Sequence, residues 1–118
     1  MALQHAIPGQ AIDLRALGPD LHHCATHAIL KTRSLELIRL VMRAGDQMPK
    51  LAVQGEMTLL CIEGSVAVDA GEYSCELRAG QMTLLSARLG HAVLALEDAS
   101  LLLTVQLPAG MPGSESFT

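Results

Sequence analysis

Arg43-Ala44-Gly45-Asp46-Gln47-Met48-Pro49-Lys50-Leu51-Ala52-Val53-Gln54-Gly55-Glu56-Met57-Thr58-Leu59-Leu60-Cys61-Ile62-Glu63-Gly64-Ser65-Val66 is the stretch around which the chain is organised. A glycine-turned loop feeds an apolar run that stops at Glu63-Gly64, and a second apolar run resumes directly after it. Short apolar runs separated by glycine turns are the signature of consecutive β-strands in a barrel or sandwich. The rhythm continues on both sides. Gly45, Gly55, Gly64, Gly71, Gly80 and Gly90 recur at steps of seven to ten residues, a spacing that fits a meander or Greek-key barrel and not a set of helices.

Candidate strands lie between these glycines at about 34–43, 49–54, 56–63, 65–69, 73–79, 82–86, 91–97 and 100–107. In the last of them Leu101, Leu103, Val105 and Leu107 alternate with Ser100, Leu102, Thr104 and Gln106, which gives one buried face and one mixed face. The runs 57–62 and 91–96 are apolar on both faces, so their outer sides need a cover, either an arm of the same chain or a second subunit. No window longer than one turn favours an amphipathic helix over a strand. Residues 1–30 are irregular, with turn signals at Pro8-Gly9 and Gly18-Pro19. They read as an N-terminal arm lying along a barrel of residues 31–108 or across a partner, and residues 109–118 read as a flexible tail.

Composition narrows the classes of function. A chain of 118 residues is one domain with one core. Half of it is hydrophobic and 17% is charged, an apolar excess that points to a contact surface and a homodimer. No apolar run reaches the roughly 18 residues that a membrane-spanning helix requires. The opening Met1-Ala2-Leu3-Gln4-His5 has no basic segment followed by an apolar one, so neither a signal peptide nor an anchor is expected and the location reads as cytoplasmic. The three cysteines Cys24, Cys61 and Cys75 form no close pair, which argues for reduced thiols. A net charge of −4 without any cluster of Lys or Arg removes the electrostatic footing of nucleic-acid binding. Tyr73 and Phe117 are the only aromatics, too few for a base-stacking or sugar-stacking platform.

The opening stretch resembles the first motif of the cupin family: a glycine, a gap, two histidines flanking one residue, a glutamate and a closing glycine. In that family the two histidines and the glutamate hold a metal. Counting from Gly45 and back from Gly64 puts these positions at Leu51, Val53 and Met57. Downstream, Gly80-Gln81-Met82-Thr83-Leu84-Leu85-Ser86-Ala87-Arg88-Leu89-Gly90-His91-Ala92-Val93 is similar to the second cupin motif, with His91 at the fourth ligand position and Ser86-Ala87 where the family has a proline. The resemblance covers residues 30 to 107. It implies an all-β cupin double-stranded β-helix, or jelly roll, of the small bacterial RmlC-like kind, with a degenerate metal motif.

If strand alternation holds, Leu51, Val53, Met57, Leu59, Cys61, His91, Val93 and Ala95 point into the barrel. The cavity is then largely apolar and carries a single imidazole. One histidine cannot hold a catalytic metal, since such sites need about three protein ligands, so the expected metal and cofactor complement is none. His91 is either a polar handle that orients a ligand or acts as a general base, or a core histidine satisfied by the backbone.

Glu56 lies beside the family's glutamate position. A bulge at Gly55 would turn it inward towards His91, and without the bulge it is a solvated carboxylate. Arg39, if its face is inward, is a carboxylate clamp; if outward, its stem covers the sheet. Cys61 reads as a small buried hydrophobe. Met42, Met48, Met57 and Met82 read as core filler. His22, His23, Cys24 and His27 form the densest group of potential ligands, either a replacement site for a borderline metal or a solvated arm.

The expected function is a metal-free small-molecule binding or sensing module with an apolar barrel cavity. The alternatives are a divergent metal-dependent cupin enzyme of dioxygenase or isomerase type built on His91, and a barrel kept only as a dimerisation scaffold.

Overall fold

A computed structural model describes residues 8–51, 55–86 and 90–107. Nine strands make up most of the described chain: β1 (His27–Lys31), β2 (Leu35–Met42), β3 (Gln47–Leu51), β4 (Met57–Glu63), β5 (Ser65–Asp69), β6 (Ser74–Arg78), β7 (Met82–Leu85), β8 (His91–Ala95) and β9 (Ala99–Gln106). They form two antiparallel sheets, one ordered β1-β2-β9-β4-β7 and the other β3-β8-β5-β6. This is the jelly-roll double-stranded β-helix that the glycine rhythm implies.

Eight of the strands coincide with sequence-predicted ones to within a few residues. The ninth, β1, falls mostly in the segment read as an arm. It pairs with β2, His27 opposite Arg39 and Lys31 opposite Glu36. Ahead of it, Gly18–His23 forms one 3₁₀ turn with Pro19 in its opening positions and Asp20 in its first turn, placements that the fixed φ of proline and the exposed N–H groups of a helix start both favour.

β2 and β4 to β9 send side chains into one core. β4 contributes Met57, Leu59 and Cys61, β8 Val93 and Ala95, β9 Ala99, Leu101, Leu103 and Val105, and β5 Val66 and Val68. Leu40 and Met42 complete it from β2, with Ile38 packed against them. Fully burying a leucine or valine stabilises by about 1.5–3 kcal/mol, so this row and not local propensity holds the barrel.

Two glycines mark the close approaches. Gly55 sits where a Cβ would lie 2.0 Å from the carbonyl oxygen of Gln106. At Gly64, φ is +79° and a Cβ would lie 2.1 Å from the carbonyl oxygen of Asp98. Only glycine lets β4 pass beside β9 at both ends.

Candidate functional site

Within the barrel, His91 opens β8, and the burial alternation of that strand turns it to the same side as Val93 and Ala95. It is fully buried, and neither Nδ1 nor Nε2 has a hydrogen-bond partner among the described residues. Met57, Leu59, Cys61 and Val93, four of the positions assigned to the cavity, are all buried in the same core. Leu51 is the register partner of His91 across β3 and β8. Val53 lies outside the described residues.

A one-residue irregularity separates the Met48–Val93 pair from the Leu51–His91 pair. Beside Met48 a cleft of about 360 Å³ crosses the seam between the two sheets, lined by Leu40 and Met42 of β2 and by Gln47 and Met48 of β3. Three of these side chains belong to the core or pack on it.

Two assignments to the cavity are corrected. Glu56 is exposed, its backbone bonded to Gln106, and β4 runs in regular register from Met57 to Cys61. Among the described residues the register shift of β4 against β9 lies between Cys61 and Glu63 and not at Gly55, and Gly55 packs too closely on Gln106 to admit a Cβ. Arg39 alternates with the inward Leu40 and Ile38 and so points to the outside of the sheet. It is nevertheless buried, because the arm lies over it.

That burial reveals a polar cluster which sequence reasoning missed. The Arg39 guanidinium donates to the carbonyl of Arg15 at 2.5 Å and to Ser100 Oγ at 3.3 Å. Ser100 Oγ donates to Glu63 Oε2 at 2.6 Å. Glu63 accepts in addition from the backbone N–H of Leu17 at 2.7 Å and of Gly18 at 3.0 Å. Burial pushes the Glu63 carboxyl up, but these hydrogen bonds and the charge of Arg39 outweigh it and hold the group below its ordinary range. Glu63 reaches the outer face through a register shift between Cys61 and Glu63, which places it opposite Ser100. The one available signal was the pair of polar residues Glu63 and Ser100 in otherwise apolar strands.

A second clasp fixes the far end of the arm. His22 Nε2 is 2.8 Å from Asp98 Oδ2, and Arg43 donates to the His22 carbonyl at 3.0 Å. Asp98 also accepts from the N–H of Ala44, and this bond first of all keeps its carboxyl below the usual range. His27 Nδ1 lies 2.8 Å from the Ala25 carbonyl. His22 and His27 thus spend their rings on separate carboxylate and backbone partners, and among the described residues no three His, Cys, Asp or Glu side chains converge.

The donor set does not fit a cupin-type metal. Of the four ligand positions only His91 carries a hard or borderline donor, the others being Leu51, Val53 and the thioether Met57. Cys61 adds no reactive thiolate: burial pushes its thiol up, and its Sγ contacts the carbonyls of Glu63 and Gly64.

No protein-family model matches the chain, and no curated protein matches it. Solved structures do. An RmlC-like cupin family protein with a double-stranded β-helix fold from Methanocaldococcus jannaschii superposes with a TM-score of 0.67 at 13% identity, covering 83% of this chain and 93% of that one. A cupin superfamily protein from Desulfitobacterium hafniense gives 0.67 at 12% identity over 70% and 76% of the two chains. A protein of unknown function from Streptococcus pyogenes gives 0.68 at 18% identity over 72% and 75%. The chain therefore has the cupin fold, that of the RmlC-like β-helix proteins. Among the described residues no helix is long and apolar enough to cross a membrane.

Proposed function

We propose that the barrel is a metal-free binding or sensing module for a small, largely apolar molecule, with His91 as its orienting group. One observation carries the reading: a fully buried imidazole whose two nitrogens lack partners among the described residues, set among aliphatic and sulfur side chains. Buried polar atoms are nearly always hydrogen-bonded, and an unpartnered one costs stability unless something else repays it. A ligand with one hydroxyl or carboxyl group on a hydrocarbon body supplies the partner for the imidazole and apolar contact for the wall. The methionine-lined seam beside Met48 supports entry from the β2–β3 side, since unbranched thioethers move aside at small cost. Free Cys24, Cys61 and Cys75 support a reducing, cytoplasmic setting for this module.

The test is a thermal-shift screen of phenols, short fatty acids and terpene alcohols on untagged protein, read alongside ¹⁵N spectra of the histidine rings and metal analysis by mass spectrometry. At least one compound is expected to raise the melting temperature and move the His91 ring resonances, and His91→Leu is expected to abolish the rise in melting temperature. Stoichiometric metal that is lost in His91→Leu would overturn the reading, as would a screen in which no compound touches the His91 resonances.

A further inference from the structure

Arg39 is the one buried arginine or lysine among the described residues, only 5% exposed. Its hydrogen bonding is incomplete. Nη2 serves both the Arg15 carbonyl and Ser100 Oγ, while Nε has no partner among the described residues. A buried guanidinium N–H left unpaired is costly, because it has given up water without replacing it. The His91 barrel does not supply the partner, since Arg39 lies on the outer face of its sheet. Against Arg39 lies instead a cleft of about 270 Å³ between the arm and β2, lined by Asp13, Arg15, Ala16, Leu17 and Asp20 from the arm and by Arg39 from the strand.

The charges of this lining select its occupant. Two carboxylates and two guanidiniums balance. Asp13 and Arg15 are spent on each other: Arg15 Nε donates to Asp13 Oδ1 at 3.0 Å and to Oδ2 at 2.8 Å, and Arg15 Nη2 lies 2.7 Å from Oδ2. Arg39 in the wall and Asp20 in the 3₁₀ turn remain as the second pair of opposite charges. A simple anion is drawn to Arg39 but repelled by both aspartates, and a simple cation meets the reverse. An apolar molecule leaves Arg39 Nε unpaired. A molecule of zero net charge with a carboxylate at one end and an ammonium at the other meets an opposite charge at each end, and charge-assisted hydrogen bonds are the strong ones. The volume falls below the roughly 300–1,000 Å³ of sites for drug-sized ligands, which limits the occupant to a small molecule.

We propose that the cleft between the arm and β2 binds a small amino acid as its zwitterion, the carboxylate accepting from the Arg39 guanidinium and the ammonium donating to Asp20. Ala16 and Leu17 in the lining give a short hydrocarbon side chain its apolar contact. Because the walls come from both the arm and β2, a bound amino acid ties the arm to the sheet beside the link from Arg39 through Ser100 to Glu63. A ligand that binds only the docked arm shifts the population towards it, so occupancy of the cleft is read as closure of the arm.

Titration of the ¹⁵N-labelled full chain with L-alanine, L-valine and β-alanine tests this, with propionate, ethylamine and propionamide as probes that lack one charged end or both. At least one amino acid is expected to shift the Arg39 Nε–H signal and the backbone signals of Arg15 and Leu17 to saturation, and to slow proteolysis between Asp13 and His23, while the three control compounds do neither at the same concentration. Asp20→Asn, at an exposed position, should weaken that binding at least tenfold, and Asp69→Asn, an exposed carboxylate at the end of β5 in the other sheet, should leave it unchanged. No shift at Arg39 with any of the three amino acids, equal binding of propionate or propionamide, or full binding by Asp20→Asn would overturn the proposal. The same titration on His91→Leu should give unaltered binding. Loss of binding there would place the amino acid in the barrel and overturn the cleft, so this proposal and the ligand reading of His91 fail separately.

Discussion

Leu51 and His91 are register partners across β3 and β8, so a position bearing an imidazole is paired with an aliphatic one at the point where a metal-binding barrel of this fold carries two ligands. The imidazole is kept without the neighbours that would make it a ligand set, and without a hydrogen-bond partner among the described residues. A buried polar group without a partner costs stability, and that cost is the ground of the binding role proposed for His91.

Replacing His91 with leucine is therefore expected to stabilise the ligand-free protein. Leaving a buried polar group unsatisfied costs about 1–3 kcal/mol, whereas an apolar group of similar shape is neutral or better. Urea denaturation of His91→Leu without added compounds should show a gain of about 1 kcal/mol at an unchanged m-value. A loss of that size would mean that both nitrogens are satisfied in the folded protein.

Arg39, Ser100 and Glu63 act as one unit that holds the arm on the outer face. Arg39→Met removes two hydrogen bonds and the positive charge that faces Glu63. Breaking such a partly buried charge cluster costs about 2–4 kcal/mol. The double variant Arg39→Met/Glu63→Gln should cost less than the sum of its parts by more than about 0.5 kcal/mol, since neighbours in one network are not additive. Limited proteolysis should cut between Asp13 and His23 faster in either single variant, which separates loss of the clasp from general destabilisation.

Acid should release the same clasp. The folded Glu63 carboxyl titrates below its ordinary value of 4.5, so its contribution is fully present above that pH and disappears as the pH falls through the depressed folded value. Glu63→Gln should be less stable than the unaltered chain at pH 7, and the gap should close as the pH is lowered from about 5 through the depressed folded value of Glu63. Asp13 and Asp98 are also held low, and the comparison with Glu63→Gln isolates Glu63 from their shared acid loss. A gap that stays constant over this range would show that the carboxylate charge is not what binds the arm.

The barrel was legible because its two controlling signals, glycine spacing and period-two alternation, are local. They located eight strands and the inward row Met57, Leu59, Cys61, His91 and Val93. What was illegible depends on register. Glu56 and Glu63 are both acids at an end of β4, and the glycine at position 55 leaves a bulge open there that would turn Glu56 inward. The bulge sits instead between Cys61 and Glu63, and it makes Glu63 the residue turned to a new face while Glu56 stays in solvent. Arg39 was ambiguous for a related reason. An outward arginine reads as solvated unless one knows that the arm crosses it, and the arm is held by backbone N–H and C=O groups of Arg15, Leu17 and Gly18 that have no side-chain signature. β1 was hidden inside that same segment because no glycine turn sets it off, none standing between Gly18 and Gly45.

The two crossing glycines separate steric need from turn preference. At Gly71 φ is +85° with open space around the missing Cβ, so Gly71→Ala should cost only the left-handed backbone penalty of about 1–2 kcal/mol. Gly64→Ala adds to a similar φ a Cβ 2.1 Å from the Asp98 carbonyl oxygen, and Gly55→Ala puts one 2.0 Å from that of Gln106 without any positive φ. Backbone, unlike a side-chain tip, cannot swing away, so β9 must separate from β4 at that end. Both substitutions should therefore destabilise by more than about 3 kcal/mol, at the exceptional end of single-residue effects. Chemical denaturation of the three alanine variants ranks them directly. A Gly55→Ala variant no worse than Gly71→Ala would show that β4 and β9 do not approach so closely at Gln106, and the outward placement of Glu56 would then need to be revisited.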